Sequence, residues 1–501
     1  MTAKQLKHQS AGAATSLSMV GAVATMISNF GIAAVAAKES LAFAGVFFAV
    51  TALVSIIGNG SSLGAQTGFV FFAPKGMDDD GNAINMRPIL GAALRPVVIL
   101  SVVLGLTTFF LAPQIAELIG DENSGARQAM LRTAAPAIPA WSVLILMLGV
   151  TRSLGSVIPH VLINQVFRPL AQLLLLVVVA FSTTDSLLEQ GFLVGLTWSI
   201  PLVISLLLAT GAAIKMGALT TNGEQALTSK EFWTYTRPRA ASVALQSLLE
   251  RIDQILVAAI AGDSLAGIYG SVTRFVTAGN FMSASITQAT SPGLRRAIAA
   301  NNLEKAQKLI SQIGSWMLLA TVPYFVFLAF KAEGVASLLD AEVAPGATAL
   351  SILAIGMTIS PLAGPVDITL LMLGRSKRSL LTIAIALVVD VALTFALVPS
   401  FGLIGAAVAW VIAVATQNLL NAWFVYSKSG LRPFGRAPLT AAAVGAISYT
   451  LPSLFGGQSI ITILIAGTAG TLIFAALAWS FADRVELGSV KEMVKKKLAR
   501  S

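Results

Sequence analysis

Apolar residues in this chain run on for about 20 positions at a time, stop at a short polar or glycine-rich break, and start again. An α-helix rising 1.5 Å per residue needs roughly 20 mostly apolar residues to cross a bilayer core about 30 Å thick. The pattern predicts about 14 such spans. They lie near 11–37, 41–72, 89–112, 131–152, 159–182, 187–214, 238–262, 264–292, 311–331, 346–373, 379–400, 402–427, 437–455 and 458–482. Barrel strands of about 9–11 residues would alternate in polarity, and nothing here alternates that way. The fold class expected is therefore an all-α polytopic membrane protein.

Loop lengths suggest how the spans are grouped. The longest inner stretch without an apolar run is 215–237, which holds Thr220, Thr221, Asn222 and Gly223. It follows six expected spans and precedes six more. The expectation is an N-terminal lobe at 1–214, a cytoplasmic linker at 215–237 and a C-terminal lobe at 238–427. An extra helix pair at 437–482 and a basic amphipathic tail at 483–501 would complete the chain. Two six-helix lobes are the usual basis of alternating access, with the substrate held between them. A second amphipathic stretch, 293–310, sets Leu294, Ile298, Leu303, Ala306 and Ile310 opposite Arg295, Arg296, Lys305 and Lys308. Both amphipathic segments are expected to lie in the headgroup layer.

Composition sharpens this picture. Hydrophobic residues make up 56% of the 501 and charged residues 11%, too few to clothe a water-soluble protein of this size. Roughly 27 of the 33 basic residues fall on one side if the N-terminus is cytoplasmic. The positive-inside rule then puts both termini in the cytoplasm, and the first span is read as uncleaved. The net charge of +10 needs no nucleic acid, because topology and anionic lipid account for it. With no cysteine, thiolate and iron–sulfur chemistry are excluded. The two histidines, His8 and His160, are too far apart in sequence to suggest a metal site. No Gly-x-x-x-x-Gly-Lys-Ser/Thr motif is present, so no nucleotide cofactor is expected.

Candidate chemistry lies in charges that lipid would not tolerate unaided. Arg251 falls near the middle of the seventh expected span, beside Glu250 and Asp253, and Arg274 lies at similar depth in the eighth. Arginine keeps its charge, and its planar fork pairs with phosphate oxygens. The pair reads either as an anion site or as partners of Glu250 and Asp253. Asp367 follows the helix breakers Gly356, Pro361, Gly364 and Pro365, and Asp390 lies mid-span in the eleventh. With Asp253 they are candidates for ion coupling, or else acids paired to nearby bases. In the second span, Gly58, Asn59, Gly60, Ser61, Ser62 and then Gln66 suggest a kink. Asn59 and Gln66 would line a substrate path there, or small residues would simply pack helices closely. Pro136, Pro139 and Pro201 suggest further bends, and Arg95 and Arg168 are read as snorkelling to the headgroups, or else as lower steps of a basic path.

Two stretches carry a family resemblance. Leu249-Glu250-Arg251-Ile252-Asp253, followed by Ala261-Gly262-Asp263 through Gly267-Ile268-Tyr269, resembles the seventh–eighth span hairpin of Wzx-like polysaccharide flippases. These belong to the multidrug/oligosaccharidyl-lipid/polysaccharide exporter superfamily. Leu373-Gly374-Arg375-Ser376-Lys377, followed by Pro399-Ser400-Phe401-Gly402 and Gly405-Ala406-Ala407, resembles a later signature of that family. The chain departs from the family at Asp390, where Asn is common. The resemblance implies a flippase of a bacterial cytoplasmic membrane that moves a polyprenyl-diphosphate-linked oligosaccharide to the outer leaflet by alternating access. It implies no enzyme activity of its own, and cell-envelope glycosyltransferases as partners. Arg251 and Arg274 would hold the diphosphate. A lipid II flippase, a drug/cation antiporter of the same superfamily and a membrane-embedded glycosyltransferase are the alternatives.

Overall fold

The computed structural model describes residues 11–78, 82–182, 186, 188–221, 227–432, 435–454, 456–488 and 492. The charged part of the expected tail, with Lys495, Lys496 and Lys497, lies outside them, as do Asn222 and Gly223 of the expected linker. Among the described residues the fold is all-α, and the one β pairing is an isolated bridge between Met77 and Ala83. Among the described residues nine helices are long and apolar enough to cross a membrane, or ten when Ser124–Ala134 and Ala137–Ser153 count as one bent span. Ser376–Ser429 comprises two expected spans, divided where Gly402 leaves helical geometry at φ 53°, ψ −129°. The other expected spans are the less apolar Ser229–Leu249 with Ile252–Ala261, Asp263–Ala299 and Arg436–Leu454. Large apolar side chains stand outward, Phe181 at 89% and Leu472 at 68% exposure, as lipid-facing residues do.

The chain divides into two compact units, Met1–Gly270 and Ser271–Ser501. The division falls inside the helix Asp263–Ala299 rather than in the 215–237 stretch. In the first unit, Leu41–Ser61 buries Phe43, Val46, Phe48 and Val50. It stops because Leu63 and Gly64 take left-handed backbone, at φ 51° and 61°. Glycine has no Cβ to clash in that region, and the helix restarts as Ala65–Phe72. The polar run Gly58–Ser62 is thus both a break and a packing seam. A Cβ at Gly58 would stand 2.8 Å from the Trp141 ring. Ser142 Oγ donates to the Gly58 carbonyl at 2.8 Å and lies 2.7 Å from Ser61 Oγ. Lipid supplies no hydrophobic drive between helices, so small residues and interhelical hydrogen bonds hold such seams.

Three further breaks shape this unit. Ser124–Ala134 and Ala137–Ser153 meet at a 45° bend across Pro136. The fifth span opens with a π-helical stretch, His160–Phe167, before Arg168–Ser182. The seventh span breaks at Glu250 and Arg251, between Ser229–Leu249 and Ile252–Ala261. Its first half starts inside the stretch expected to be linker, because a capping box initiates it there. The Thr228 hydroxyl accepts from the Glu231 N–H at 3.3 Å, and the Glu231 carboxylate accepts from the Thr228 N–H at 2.9 Å. The backbone bond from Thr228, with help from its hydroxyl, holds the Glu231 carboxyl below the usual carboxylate range.

In the second unit, Leu303–Phe330 packs against Arg436–Leu454 through Leu318, Leu319, Val322, Ala441 and Val444. The tenth span is in three pieces, Ala347–Gly356, Ile359–Ala363 and Val366–Met372, with Gly364 at φ 69°. An apolar cavity of about 420 Å³ opens beside Phe325, Ile355, Leu362 and Ala446. The stretch 293–310 does not lie free in the headgroup layer. Leu294, Ala297, Ala306 and Ile310 are buried against Leu370, Val425 and Leu431. The amphipathic face was legible in the sequence, but protein rather than lipid covers it.

Candidate functional site

The break in the seventh span puts Arg251 on a non-helical residue, φ −144° and ψ −11°, half-buried and just ahead of Ile252–Ala261. Backbone freed from a helix within a span must pack in protein or line a polar cavity. Arg168, at the first turn of its helix, is near enough to Arg251 for the two charges to oppose each other. His160 lies within electrostatic range of both Arg152 and Arg168. Among the described residues, none of Arg152, Arg168 and Arg251 forms a salt bridge. Glu250 and Asp253 act on Arg251 only from beyond that range. The first unit therefore carries permanent positive charge on three spans with no acid in salt-bridge range among the described residues.

Aromatic and amide groups surround that charge. The Arg168 guanidinium lies over the Trp141 ring, 4.8 Å from its centroid, so it does not snorkel to the headgroups as expected. The apolar flank that suggested snorkelling supplies an aromatic ring instead. Trp141 stacks on Trp198 at 5.4 Å and 7° between planes. Its indole N–H donates to Asn59 Oδ1 at 2.9 Å. Gln172 Nε2 donates to the Trp198 carbonyl at 3.1 Å. Arg152 donates to Gln66 Oε1 at 3.0 Å. Four buried polar atoms nearby in sequence have no partner: Arg152 Nε, His160 Nδ1, Gln165 Oε1 and Arg168 Nε. Asn59 and Gln66 thus brace this group; Arg168 is the alternative step of a basic path, while nothing in the sequence reading marked Arg152, His160, Trp141 or Trp198 as site residues. One sequence signal was available: no Asp or Glu lies between Arg132 and Asp185 to balance Arg152 and Arg168.

The acids occupy different settings. Asp253 is 3% exposed and accepts from the Tyr269 hydroxyl at 2.9 Å and the Gln254 N–H at 2.9 Å. The Arg-x-Asp and Gly-x-Tyr elements are thereby joined directly. In the second unit, Asp367 is exposed just beyond the Gly364 break and accepts from Asn421 Nδ2. Asn421 Oδ1 in turn accepts from Thr382 Oγ1 at 2.7 Å. Asp390 is wholly buried, and Arg274 is half-buried on Asp263–Ala299. Arg251 falls in the first unit and Arg274 in the second.

Broken helices, polar groups held within spans and large apolar side chains standing outward are the marks of a multi-pass membrane protein. Residues 238–396 match the MatE family model, a segment containing Arg251, Asp253, Arg274, Asp367 and Asp390. The whole fold resembles a lipid II flippase MurJ in an inward-closed conformation, with TM-score 0.73 and 13% identity over 94% of this chain and 99% of that one. It also resembles an inward-facing multidrug-resistance MATE transporter of the MOP superfamily, with TM-score 0.63 and 15% identity over 84% and 98% of the two chains. A MOP superfamily transporter from Pyrococcus furiosus, described by the reverse polarity of its binding pocket, aligns with TM-score 0.59 and 17% identity over 85% and 97%. A comparison with curated protein sequences found no match. At these identities the likeness establishes the fold: that of MOP superfamily transporters.

Proposed function

We propose that this protein is a flippase for an anionic, polyprenyl-diphosphate-linked oligosaccharide, moved from the cytoplasmic to the outer leaflet by alternating access. The observation that carries the reading is the group of guanidiniums on Arg152, Arg168 and Arg251, none of which forms a salt bridge with the described residues. A cation exporter would gain nothing from that charge, whereas a diphosphate would be neutralised by it. Sugar hydroxyls cannot cross hydrocarbon without losing their hydrogen bonds, so the headgroup needs a polar route. With the inside negative, outward movement of an anionic headgroup is favoured by roughly 2.3 kcal/mol per charge per 100 mV.

Asp367, open and joined to Asn421, is the acid best suited to exchange an ion, and buried Asp390 is the second candidate. Asp253, engaged by Tyr269, fits a part in shaping the seventh–eighth span hairpin more closely. The expected setting is a bacterial cytoplasmic membrane with both termini inside, anionic lipid at the basic tail, and cell-envelope glycosyltransferases supplying substrate.

The test is reconstitution of the full chain in vesicles carrying a polyprenyl-diphosphate glycan labelled in one leaflet. Wild type is expected to expose the glycan at the opposite leaflet, and Arg168→Ala with Arg251→Ala to abolish this. Unimpaired exposure in the double variant would remove the reading. Proton- or sodium-driven export of a cationic dye, with no glycan movement, would establish the antiporter instead.

A further inference from the structure

Arg168 is held in an unusual way for an arginine within a span. A carboxylate partner would cancel its charge and occupy its donors. An aromatic face does neither, because the ring quadrupole attracts the cation through its plane and leaves the N–H groups at the guanidinium edge free. Trp141 provides that face at 4.8 Å. The ring is itself immobilised: Trp198 stacks on it at 5.4 Å, Asn59 accepts its N–H at 2.9 Å, and Gly58 leaves room for it. Four helices therefore converge to orient one guanidinium. Beside it, the π-helical stretch His160–Phe167 widens the backbone, a device that recurs at functional sites. Buried Nε of Arg168, Nε of Arg152 and Nδ1 of His160 lack partners there.

We infer that Trp141 is a positioning residue, fixed by Trp198 and Asn59, that presents the edge of Arg168 to a phosphate-bearing headgroup alongside Arg152 and His160. This rests on the reading of the protein as a transporter of an anionic lipid-linked substrate. The aromatic stack thus acts on the substrate through Arg168 rather than by contact with sugar. Its contribution is orientation without neutralisation, so its removal weakens diphosphate binding while the charge stays in place.

The experiment titrates purified full-length protein in detergent with farnesyl diphosphate and records the melting temperature of each variant. Trp141→Phe keeps an aromatic face and is expected to bind within about threefold of wild type. Trp141→Leu keeps an apolar side chain, smaller than the indole, but not the quadrupole, and is expected to bind about tenfold more weakly while still folding. Arg168→Lys keeps the charge but not the plane, and is expected to weaken binding nearly as much as Arg168→Ala. Wild-type binding by Trp141→Leu, with binding lost in Arg168→Ala, would overturn the positioning role and leave the transport reading standing. Undiminished binding in both Arg168→Ala and Arg251→Ala would overturn the transport reading itself. If Trp141→Leu fails to fold, Arg168→Lys decides. Wild-type affinity there would mean a point charge suffices and no platform is needed.

Discussion

Arg127 and Arg168 lie in the same unit and are accommodated in opposite ways. Arg127 is wholly buried, and its terminal nitrogens meet three protein acceptors, one of them a carboxylate. Nη2 donates to Asp263 Oδ1 at 2.5 Å, and Nη1 donates to the Ala116 carbonyl at 2.8 Å and the Gly120 carbonyl at 2.5 Å. Asn123 Nδ2 completes the set by donating to Asp263 Oδ2 at 3.0 Å. Arg168 has an indole and no acid. The first arrangement removes charge from lipid and ties a loop to a helix start. The second keeps charge available. The contrast separates arginine used as a fastener from arginine used as a receptor, on the criterion of what neutralises it.

The contrast is broken most easily at the fastener. Asp263→Asn or Arg127→Met leaves one buried group of the pair uncompensated, and should lower stability by about 3–5 kcal/mol. Thermal or denaturant unfolding in detergent would measure it, and a loss under about 1 kcal/mol would put Arg127 among the exposed, weak pairs. The receptor should behave conversely. Arg168→Ala with Arg251→Ala should weaken farnesyl diphosphate binding by about a hundredfold, or tenfold per charged hydrogen-bonding group. Stability should hold or rise, because two opposing charges are gone. A double variant that unfolds would make these arginines fasteners too.

A smaller effect is expected at Tyr269. Tyr269→Phe removes a donor to buried Asp253 and should lower stability by about 1–3 kcal/mol. Diphosphate affinity should change little, and a large change there would tie Asp253 and Tyr269 to the receptor beside Arg251. The smallest effect concerns Glu231, at the start of the broken seventh span. Its carboxyl lies below the usual range in the folded chain, so the stability it adds is present above the unfolded value. That stability is lost as pH falls through the lower, folded value. Hydrogen exchange of the Ser229–Phe232 amides, corrected for intrinsic rate, should quicken over that acidic window, and Thr228→Ala should abolish the difference.

The helices were legible because lipid constrains them so tightly. The expected spans correspond to helices, whole or broken into two or three pieces, with the eleventh and twelfth continuous as Ser376–Ser429 but for the kink at Gly402, and the expected breaker Gly364 lies at an observed break. The break at Arg251 was not legible, since Leu249-Glu250-Arg251-Ile252 contains neither glycine nor proline. The candidate site was legible in part. Arg251, Asn59 and Gln66 stood out as polar groups inside apolar runs. Arg152 did not, because it ends the expected span 131–152, where basic residues usually meet solvent. Arg127 and Lys331 lie in or beside the breaks between expected spans, where charge usually meets water, yet both are buried, Lys331 at 1% exposure and donating to the Gly457 carbonyl at 3.1 Å.

What the amino-acid sequence determined alone was the solvent and the secondary structure: apolar runs of membrane-crossing length, interrupted by charge, force helices whose backbones satisfy themselves within lipid. What only the tertiary structure decided was the partner of each charge. Whether an arginine meets an acid, an amide or an indole depends on which helices become neighbours. Trp141, Trp198 and Arg168 lie on three different spans, and no local pattern in any of them encodes the other two.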